Sequence, residues 1–415
     1  MALPIFSFSE YLKDAEEKLN NPKNQDEVDK KQYYELALQR MNRAIKTFKK
    51  SEEDVQALKN KNFKGKILDS SVAAYLLKKQ GYEVYGVTMD IWTEGAVDTV
   101  NGGCLGSQAK EDARKVAETL DIPYKVVDVR GKFRENVMNY FADSYKNGET
   151  PNPCTLCNRR VKWEALFKGA ELFGAEYVAT GHYAKIRQLA NGRYTIANSY
   201  TAAKDQTYAL CNLTQEQLRR TLLPIGDYEK SEVRKIAAEA GIEIAAKPDS
   251  MEICFIPDGD YAGYLEKEYG IAAHKGNFVD VDGNVLGEHR GIVHYTIGQR
   301  KGLGIAFGRP MFVKEIRPET NEVVLSDNEG LFTERVVAER INFMAETKEE
   351  IEASDKIYLA KIRYNHKGGE CKLSFEGDRI AVEFLEPQRA SAPGQTLVVY
   401  NEAGEVVCGG RIVRN

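Results

Sequence analysis

The chain has 415 residues, 42% hydrophobic and 29% charged, with a net charge of −4. This is the composition of a soluble globular protein too long for one core, so two or three domains are expected, and any nucleic-acid partner must be held by a local basic surface. No run reaches the ~18 apolar residues of a membrane span, Met1-Ala2-Leu3-Pro4 opens no secretory signal, and seven cysteines, an odd number scattered from Cys104 to Cys408, point to a reducing cytoplasm rather than a disulfide framework.

Residues 1–62 read as a polar, Lys/Glu-rich extension. Ser9-Glu10-Tyr11-Leu12 opens a short amphipathic helix that Asn20-Asn21-Pro22 closes. From Asp26 to Lys59, Val28, Tyr34, Leu38, Met41, Ile45, Phe48, Val55 and Leu58 recur at helical spacing, which predicts a helical hairpin. From Lys66 helices and strands alternate: helix Ser70–Gln80, strand Glu83–Met89, helix Ser107–Leu120, strand Tyr124–Val129, helix Phe133–Tyr145, helix Val161–Phe173, and a short strand Tyr177–Thr180 running into Gly181-His182-Tyr183. Such alternation predicts an α/β domain with a parallel sheet, whose ligands bind beyond the carboxyl ends of the strands. The loops after Met89 and Thr180 and the Cys154/Cys157 loop could therefore share one pocket. Beyond about residue 262, short Gly-rich, β-branched segments at Asn277–Leu286, Gly291–Ile297, Met311–Ile316, Val323–Leu325, Lys356–Arg363, Cys371–Glu376, Arg379–Leu385 and Thr396–Tyr400 predict a small β domain and then a β-barrel, both antiparallel. The domains expected are thus 1–62, 63–261, 262–331 and 332–415.

The densest chemistry lies in Thr150-Pro151-Asn152-Pro153-Cys154-Thr155-Leu156-Cys157-Asn158-Arg159-Arg160. Its prolines bar regular helix up to Pro153. Thiols held on a stiff loop beside arginines are expected to have lowered pKa values. A third thiol, Cys254, follows Lys247-Pro248-Asp249-Ser250. Cys154, Cys157 and Cys254 together could hold an iron–sulfur cluster with one open site, bind zinc, or run persulfide and disulfide chemistry. Cys211, Cys371 and Cys408 sit in apolar or strand-like surroundings and read as inert core residues, while Cys104 reads either way. Asp69-Ser70-Ser71 at a helix head offers a phosphate site or an ordinary cap. His182 stands at a strand end. Lys204-Asp205-Gln206, Arg300-Lys301, Arg363-Tyr364 and Gln395 supply the cationic, amide and aromatic groups that a folded RNA requires.

Thr150–Asn158, Gly181-His182-Tyr183-Ala184, Ala203–Tyr208, Lys247–Ser250 with Cys254, Tyr295–Gly302 and Pro387-Gln388-Arg389 together resemble, in order, the motifs of the tRNA-specific 2-thiouridylases, a branch of the PP-loop ATP pyrophosphatases. The resemblance runs from about Asp69 to the C-terminus. It implies a PP-loop-like catalytic domain that adenylates the C2 oxygen of the wobble uridine with ATP and Mg2+, then replaces that oxygen by sulfur. It also implies that Cys254 carries a persulfide received from a cysteine desulfurase or sulfur-relay protein, and that Cys157 forms a disulfide with Cys254 after transfer. Cys154 falls where many relatives carry an acid–base Asp. Asp69, Ser70, Ser71, Met89 and Gly181 match positions at the nucleotide. Asn152, Pro153, His182, Lys204, Asp205, Gln206, Arg363, Tyr364 and Gln395 match positions at the tRNA. One motif departs. Where the family has a strand and Ser-Gly-Gly-Val-Asp-Ser-Ser, this chain has Asn62-Phe63-Lys64-Gly65-Lys66-Ile67-Leu68-Asp69-Ser70-Ser71, so a catalytically impaired tRNA-binding descendant is the alternative expectation.

Overall fold

The computed structural model describes residues 64–65, 68–91, 107–244, 253–256, 258–305 and 308–414. The predicted helical hairpin in 1–62, Cys104 and Lys247-Pro248-Asp249-Ser250 lie outside them. Among the described residues no helix is long and apolar enough to cross a membrane.

The α/β region carries parallel pairing in three short pieces: β1 (Lys64–Gly65) with β8 (Glu243–Ile244), β2 (Gly86–Asp90) with β3 (Tyr124–Asp128), and β4 (Val178–Ala179) with β7 (Thr221–Leu222). Helix α1 (Asp69–Lys79) follows β1, and α2 (Ser107–Thr119) connects β2 to β3. Helix α3 spans 130–146 through a π-helical turn at Arg134–Met138. Helix α4 spans 153–173 through a second π turn at Asn158–Lys162. The sequence places a loop at the cysteines, but the helix starts at Pro153, because proline is tolerated at a first helical position. An antiparallel pair, β5 (Lys185–Gln188) and β6 (Tyr194–Ala197), was not legible as strands. Phe133, Val137, Phe141, Val161 and Ala165 of α3 and α4 bury a common core with Phe255, Ile256 and Leu265.

Helix α5 (Tyr261–Tyr269) leads into a four-stranded sheet ordered β10 (Val285–His289), β9 (Gly276–Val279), β12 (Glu322–Ser326), β11 (Phe312–Arg317). Here β9 and β12 run parallel, contrary to the all-antiparallel expectation. The long connection between them permits a crossover that a hairpin forbids. Gly291–Ile297, expected as a strand, instead contains a 3-10 turn at Ile292–His294, closed by a bond from the His294 N–H to the Gly291 carbonyl. The final six strands, β13 (Phe332–Phe343), β14 (Tyr358–Lys361), β15 (Gly369–Glu376), β16 (Arg379–Arg389), β17 (Thr396–Tyr400) and β18 (Val406–Ile412), close a barrel in the order β13-β16-β15-β14-β17-β18, every pair antiparallel.

The barrel shares a core with the α/β region. Trp163, Ile196, Tyr208, Leu210 and Cys211 pack in one cluster with Val398, Tyr400 and Val406. It also clasps the chain just ahead of α4. The Thr150 N–H donates to the Pro393 carbonyl at 2.8 Å, Gln395 Nε2 donates to the Thr150 carbonyl at 3.0 Å, and Arg411 pairs with Glu149. Tyr208 Oη donates to the Thr396 carbonyl at 2.6 Å, and the Thr155 and Thr396 hydroxyls lie 3.4 Å apart. Gly394 sits within the clasp at φ 89°, where a Cβ would meet Glu149 Cβ at 3.0 Å and Thr150 backbone at 3.2 Å. Gly394→Ala is therefore expected to cost roughly 1–2 kcal/mol of stability from its left-handed backbone alone. The urea midpoint should fall at unchanged m-value, while Gly131→Ala, with open space around its Cβ position, should leave the midpoint in place.

Candidate active site

Asn152 caps α4, its Oδ1 accepting from the Cys154 N–H at 3.2 Å, and Pro153 is buried as the first helical residue. Cys154 is exposed at the helix start and Cys157, one turn on, is half-buried against the α3–α4 core. The π turn follows at once, its signature the bond from the Trp163 N–H back to the Asn158 carbonyl. It keeps Val161 fully buried while Lys162 reaches His182, with Nζ 3.3 Å from Nε2. An ammonium only donates, so Nε2 accepts and the imidazole proton belongs on Nδ1, 2.7 Å from Thr180 Oγ1. Burial first, and then the Lys162 charge, hold the His182 pKa well below the usual range. This histidine is neutral.

The thiols differ from expectation. Burial pushes Cys157 up to about 11, and Cys154, although its side chain reaches the surface, is also raised by the protein packed around it, while Lys162 pulls both back only in part. Arg159 and Arg160, expected to activate them, do not figure among the causes. Arg159 lies beside Arg160 and Cys211, and burial lowers its own pKa. Cys254 is half-buried and packs against the same core cluster as Cys157. Among the described residues no three His, Cys, Asp or Glu side chains are placed to share a metal ion. Cys154, Cys157 and Cys254 therefore do not fit iron–sulfur or zinc ligation in this arrangement. Cys211, Cys371 and Cys408 are buried.

The nucleotide-matching residues gather at the head of α1. Gly181 packs so closely there that a Cβ would lie 2.4 Å from the Asp69 carbonyl carbon and 2.5 Å from the Ser70 nitrogen. Leu68, at the cap position, offers no side-chain bond to the first-turn amides. Ser70 is exposed and Ser71 buried. Asp69 accepts from Lys230 Nζ at 2.8 Å on each oxygen and from Tyr183 Oη at 3.0 Å. Met89, at the end of β2, packs against the core that also receives Cys157. Lys230 and Tyr183 were not singled out from sequence. Tyr183 lies inside a quoted motif, but Lys230 is joined to Asp69 only by folding.

Of the tRNA-matching residues, several hold one another. The Gln206 side chain accepts from the Tyr183 N–H at 2.9 Å. Asp205 Oδ2 accepts from the Ser199 N–H at 2.8 Å and Oδ1 from the Thr207 N–H at 3.1 Å, and its carbonyl accepts from Tyr364 Oη at 3.1 Å. Arg363 donates to the Arg389 carbonyl at 2.7 Å, and Gln395 belongs to the clasp. Tyr364 remains 47% exposed, edge-on to Tyr208, with Asp205, Lys204 and Cys154 near enough to act on its phenol. Arg160, Arg300 and Lys301 are exposed, and Arg159, Lys162 and Lys204 half-exposed. The structure thus brings Cys154, Cys157, Lys162, His182, Lys204 and Tyr364 into one neighbourhood, bounded by the Gly181–Asp69 contact.

Two measurements test this electrostatics. A histidine whose folded pKa is depressed contributes stability that is fully present above its unfolded pKa of about 6.5 and is lost as pH falls below it. His182→Asn should remove up to about 1.4 kcal/mol per pH unit from the acid-side slope of folding stability, read by urea unfolding between pH 7.5 and 5.5. Cys157, at about 11, should react slowly with iodoacetamide at neutral pH and about tenfold faster per added pH unit to pH 10, mapped by peptide mass spectrometry. Fast labelling at pH 7 would contradict the dominance of burial.

Three family models match in chain order: "tRNA methyl transferase HUP domain" over residues 65–258, "tRNA methyl transferase PRC-barrel domain" over 263–327, and "Aminomethyltransferase beta-barrel domain" over 333–413. The tRNA-specific 2-thiouridylase MnmA of Lachnoclostridium phytofermentans is 57% identical over 346 residues, covering 83% of this chain and 96% of that protein. The tRNA-specific 2-thiouridylase MnmA of Clostridioides difficile is 51% identical over 349 residues, 83% and 95%. Among solved structures, the U34-tRNA thiolase NcsA from Methanococcus maripaludis with its [4Fe-4S] cluster is 17% identical over 54% of this chain and 74% of that one, at a TM-score of 0.28, too low to carry an argument. With this identity extending over nearly the full length of its relatives, and domain models matching from residue 65 to 413, the chain belongs to the tRNA-specific 2-thiouridylase family.

Proposed function

We propose that this protein catalyses ATP-dependent 2-thiolation of the wobble uridine of tRNA. Family membership supports the reaction class. The observation that carries it to these residues is the gathering of Cys154, Cys157, Lys162 and His182 beside exposed Tyr364, next to the Gly181–Asp69 contact at the head of α1. The uncapped amides of α1, an eleven-residue helix, suit the ATP phosphates. Lys230 and Tyr183 engage both oxygens of Asp69, so its role is to fix the helix head. Mg2+ would then arrive with the ATP phosphates.

The chemistry follows in balanced steps. The uridine O2 attacks the α-phosphate of ATP, and pyrophosphate leaves. The terminal sulfur of a Cys254 persulfide, supplied by a desulfurase or relay protein, attacks C2 and expels AMP. The Cys157 thiolate then attacks Cys254 Sγ, forming the Cys157–Cys254 disulfide and releasing 2-thiouridine, and an external thiol reductant restores both cysteines. Because burial holds the resting Cys157 thiol protonated, that last step requires proton loss from Cys157. Cys154, also a neutral thiol, lacks the carboxylate charge that would make it a strong base. Neutral His182 is held by Thr180 and Lys162 and packs its ring against Trp163.

Methyl transfer, the activity in two of the family-model descriptions, gives no use to a paired thiol set, and neither does a silent tRNA-binding descendant. The sequence of residues 62–68 retains only Gly65 of the family's glycines, and weakened ATP binding is the consequence we assign to that change. The test is nucleoside mass spectrometry of tRNA after reaction with ATP and a persulfide donor. Cys254→Ser should abolish 2-thiouridine and leave tRNA binding intact, whereas Cys211→Ser should match the parent. Undiminished thiolation by Cys254→Ser would end the assignment.

A further inference from the structure

The sulfur carrier needs a means of returning to one place. Cys254 occupies the second position of a turn closed by the Ile256 N–H donating to the Ile253 carbonyl at 2.9 Å. Ile253 packs against the α3–α4 core, and Phe255 and Ile256 are 5% and 2% exposed within it. All four side chains of the turn meet this core, Phe255 and Ile256 buried within it and Ile253 and Cys254 partly buried against it.

Phe255 is held more specifically than burial requires. Its ring meets Phe133 edge-on at 5.7 Å and Phe141 edge-on at 5.4 Å, both from α3, and is tilted against Tyr264 of α5 at 5.5 Å. Tyr264 also meets Phe141 edge-on at 6.3 Å, so the walls of this socket support one another. Edge-to-face contacts fix ring orientation as well as depth, and a ring whose orientation is fixed transmits that order to the adjacent backbone. The same core also receives Cys157.

We infer that Phe255 is a positioning residue for sulfur transfer, an aromatic anchor that seats the Cys254 turn against the core shared with Cys157. The helix that opens the central domain, α5, thereby sets thiol geometry through Tyr264. This rests on the reading of Cys254 and Cys157 as the exchanging pair, but its test does not depend on tRNA thiolation. Fixing two groups in a productive geometry raises their effective concentration, and loosening one of them lowers it.

The experiment is equilibration of the full chain in glutathione redox buffers. Peptide mass mapping would then quantify the Cys157–Cys254 disulfide and give the effective concentration of one thiol at the other. Phe255→Leu and Tyr264→Leu, which alter the socket from opposite sides, are each expected to lower that concentration by about tenfold or more. Cys254→Ser thiolation assays run in parallel report on the reaction itself, so a failed thiolation assignment and a failed anchor are distinguishable. Should Phe255→Leu not fold, Tyr264→Leu decides alone. An effective concentration within twofold of the parent in the folded variants would overturn the anchor, even if their melting temperatures fall, because that pattern marks Phe255 as core filling only.

Discussion

The clasp between the barrel and the segment Glu149–Thr155 is the constraint on which the site depends. A proline-flanked segment cannot hold itself by helical or ladder hydrogen bonds, since two of its residues lack an N–H. Its polar groups are met from β17, β18 and the turn before them: Pro393 and Gln395 at Thr150, Thr396 at Thr155, Arg411 at Glu149. The α/β region supplies the helix that bears Cys154 and Cys157, and the barrel holds the segment that leads into it. This gives a physical reason for the barrel to share a core with Trp163, Tyr208 and Leu210 rather than hang from a linker. The extra burial makes the barrel and the α/β region cooperative, and a site spanning both then keeps its dimensions.

At the two thiols burial and charge oppose one another, and burial prevails. Lys162 pulls Cys154 and Cys157 toward ionisation, yet both stay protonated, whereas at His182 its charge acts together with burial and the ring stays neutral. For a sulfur-transfer enzyme this restrains premature reaction. A thiolate exposed before the RNA arrives would exchange with any disulfide in solution, whereas a buried thiol with a cation beside it is one displacement away from ionising.

Much of this architecture was legible from residue patterns. The alternation of α1, β2, α2 and β3 is written in apolar periodicity, and the barrel strands in β-branched runs between Gly-containing turns. The family motifs also led to the neighbourhood of Cys154, Cys157 and His182. What was hidden depends on partners distant in sequence. Arg159 and Arg160 read as activating charges because they adjoin the cysteines in the chain, but helical geometry sends them elsewhere and brings Lys162 in. Asp205 and Gln206 read as groups for a folded RNA, and the hydrogen bonds by which they also fasten the loops around Tyr183 and Ser199 leave no mark in the sequence. The parallel pairing of β9 with β12 depends on a long connection, and no local pattern records it. The departed motif at Lys64–Leu68 was plain in the sequence, and its effect on ATP is a matter for measurement rather than pattern.

The π turn at Asn158–Lys162 carries a consequence for how this helix can change over evolutionary time. One residue more than an α-helical turn separates the cysteine end of α4 from the Trp163 end, and each end is anchored independently: Asn158 Nδ2 to the Ala209 carbonyl, Trp163 Nε1 to Thr221 Oγ1. Rewinding these five residues as regular α-helix at their present length would give better hydrogen bonds and undiminished helical content. It would also turn one anchored end by roughly 100° relative to the other. Selection for local helix stability and selection for the site therefore pull in opposite directions at these five residues. The π winding of this turn, more than the identity of the side chains within it, is what keeps both anchored ends facing their partners.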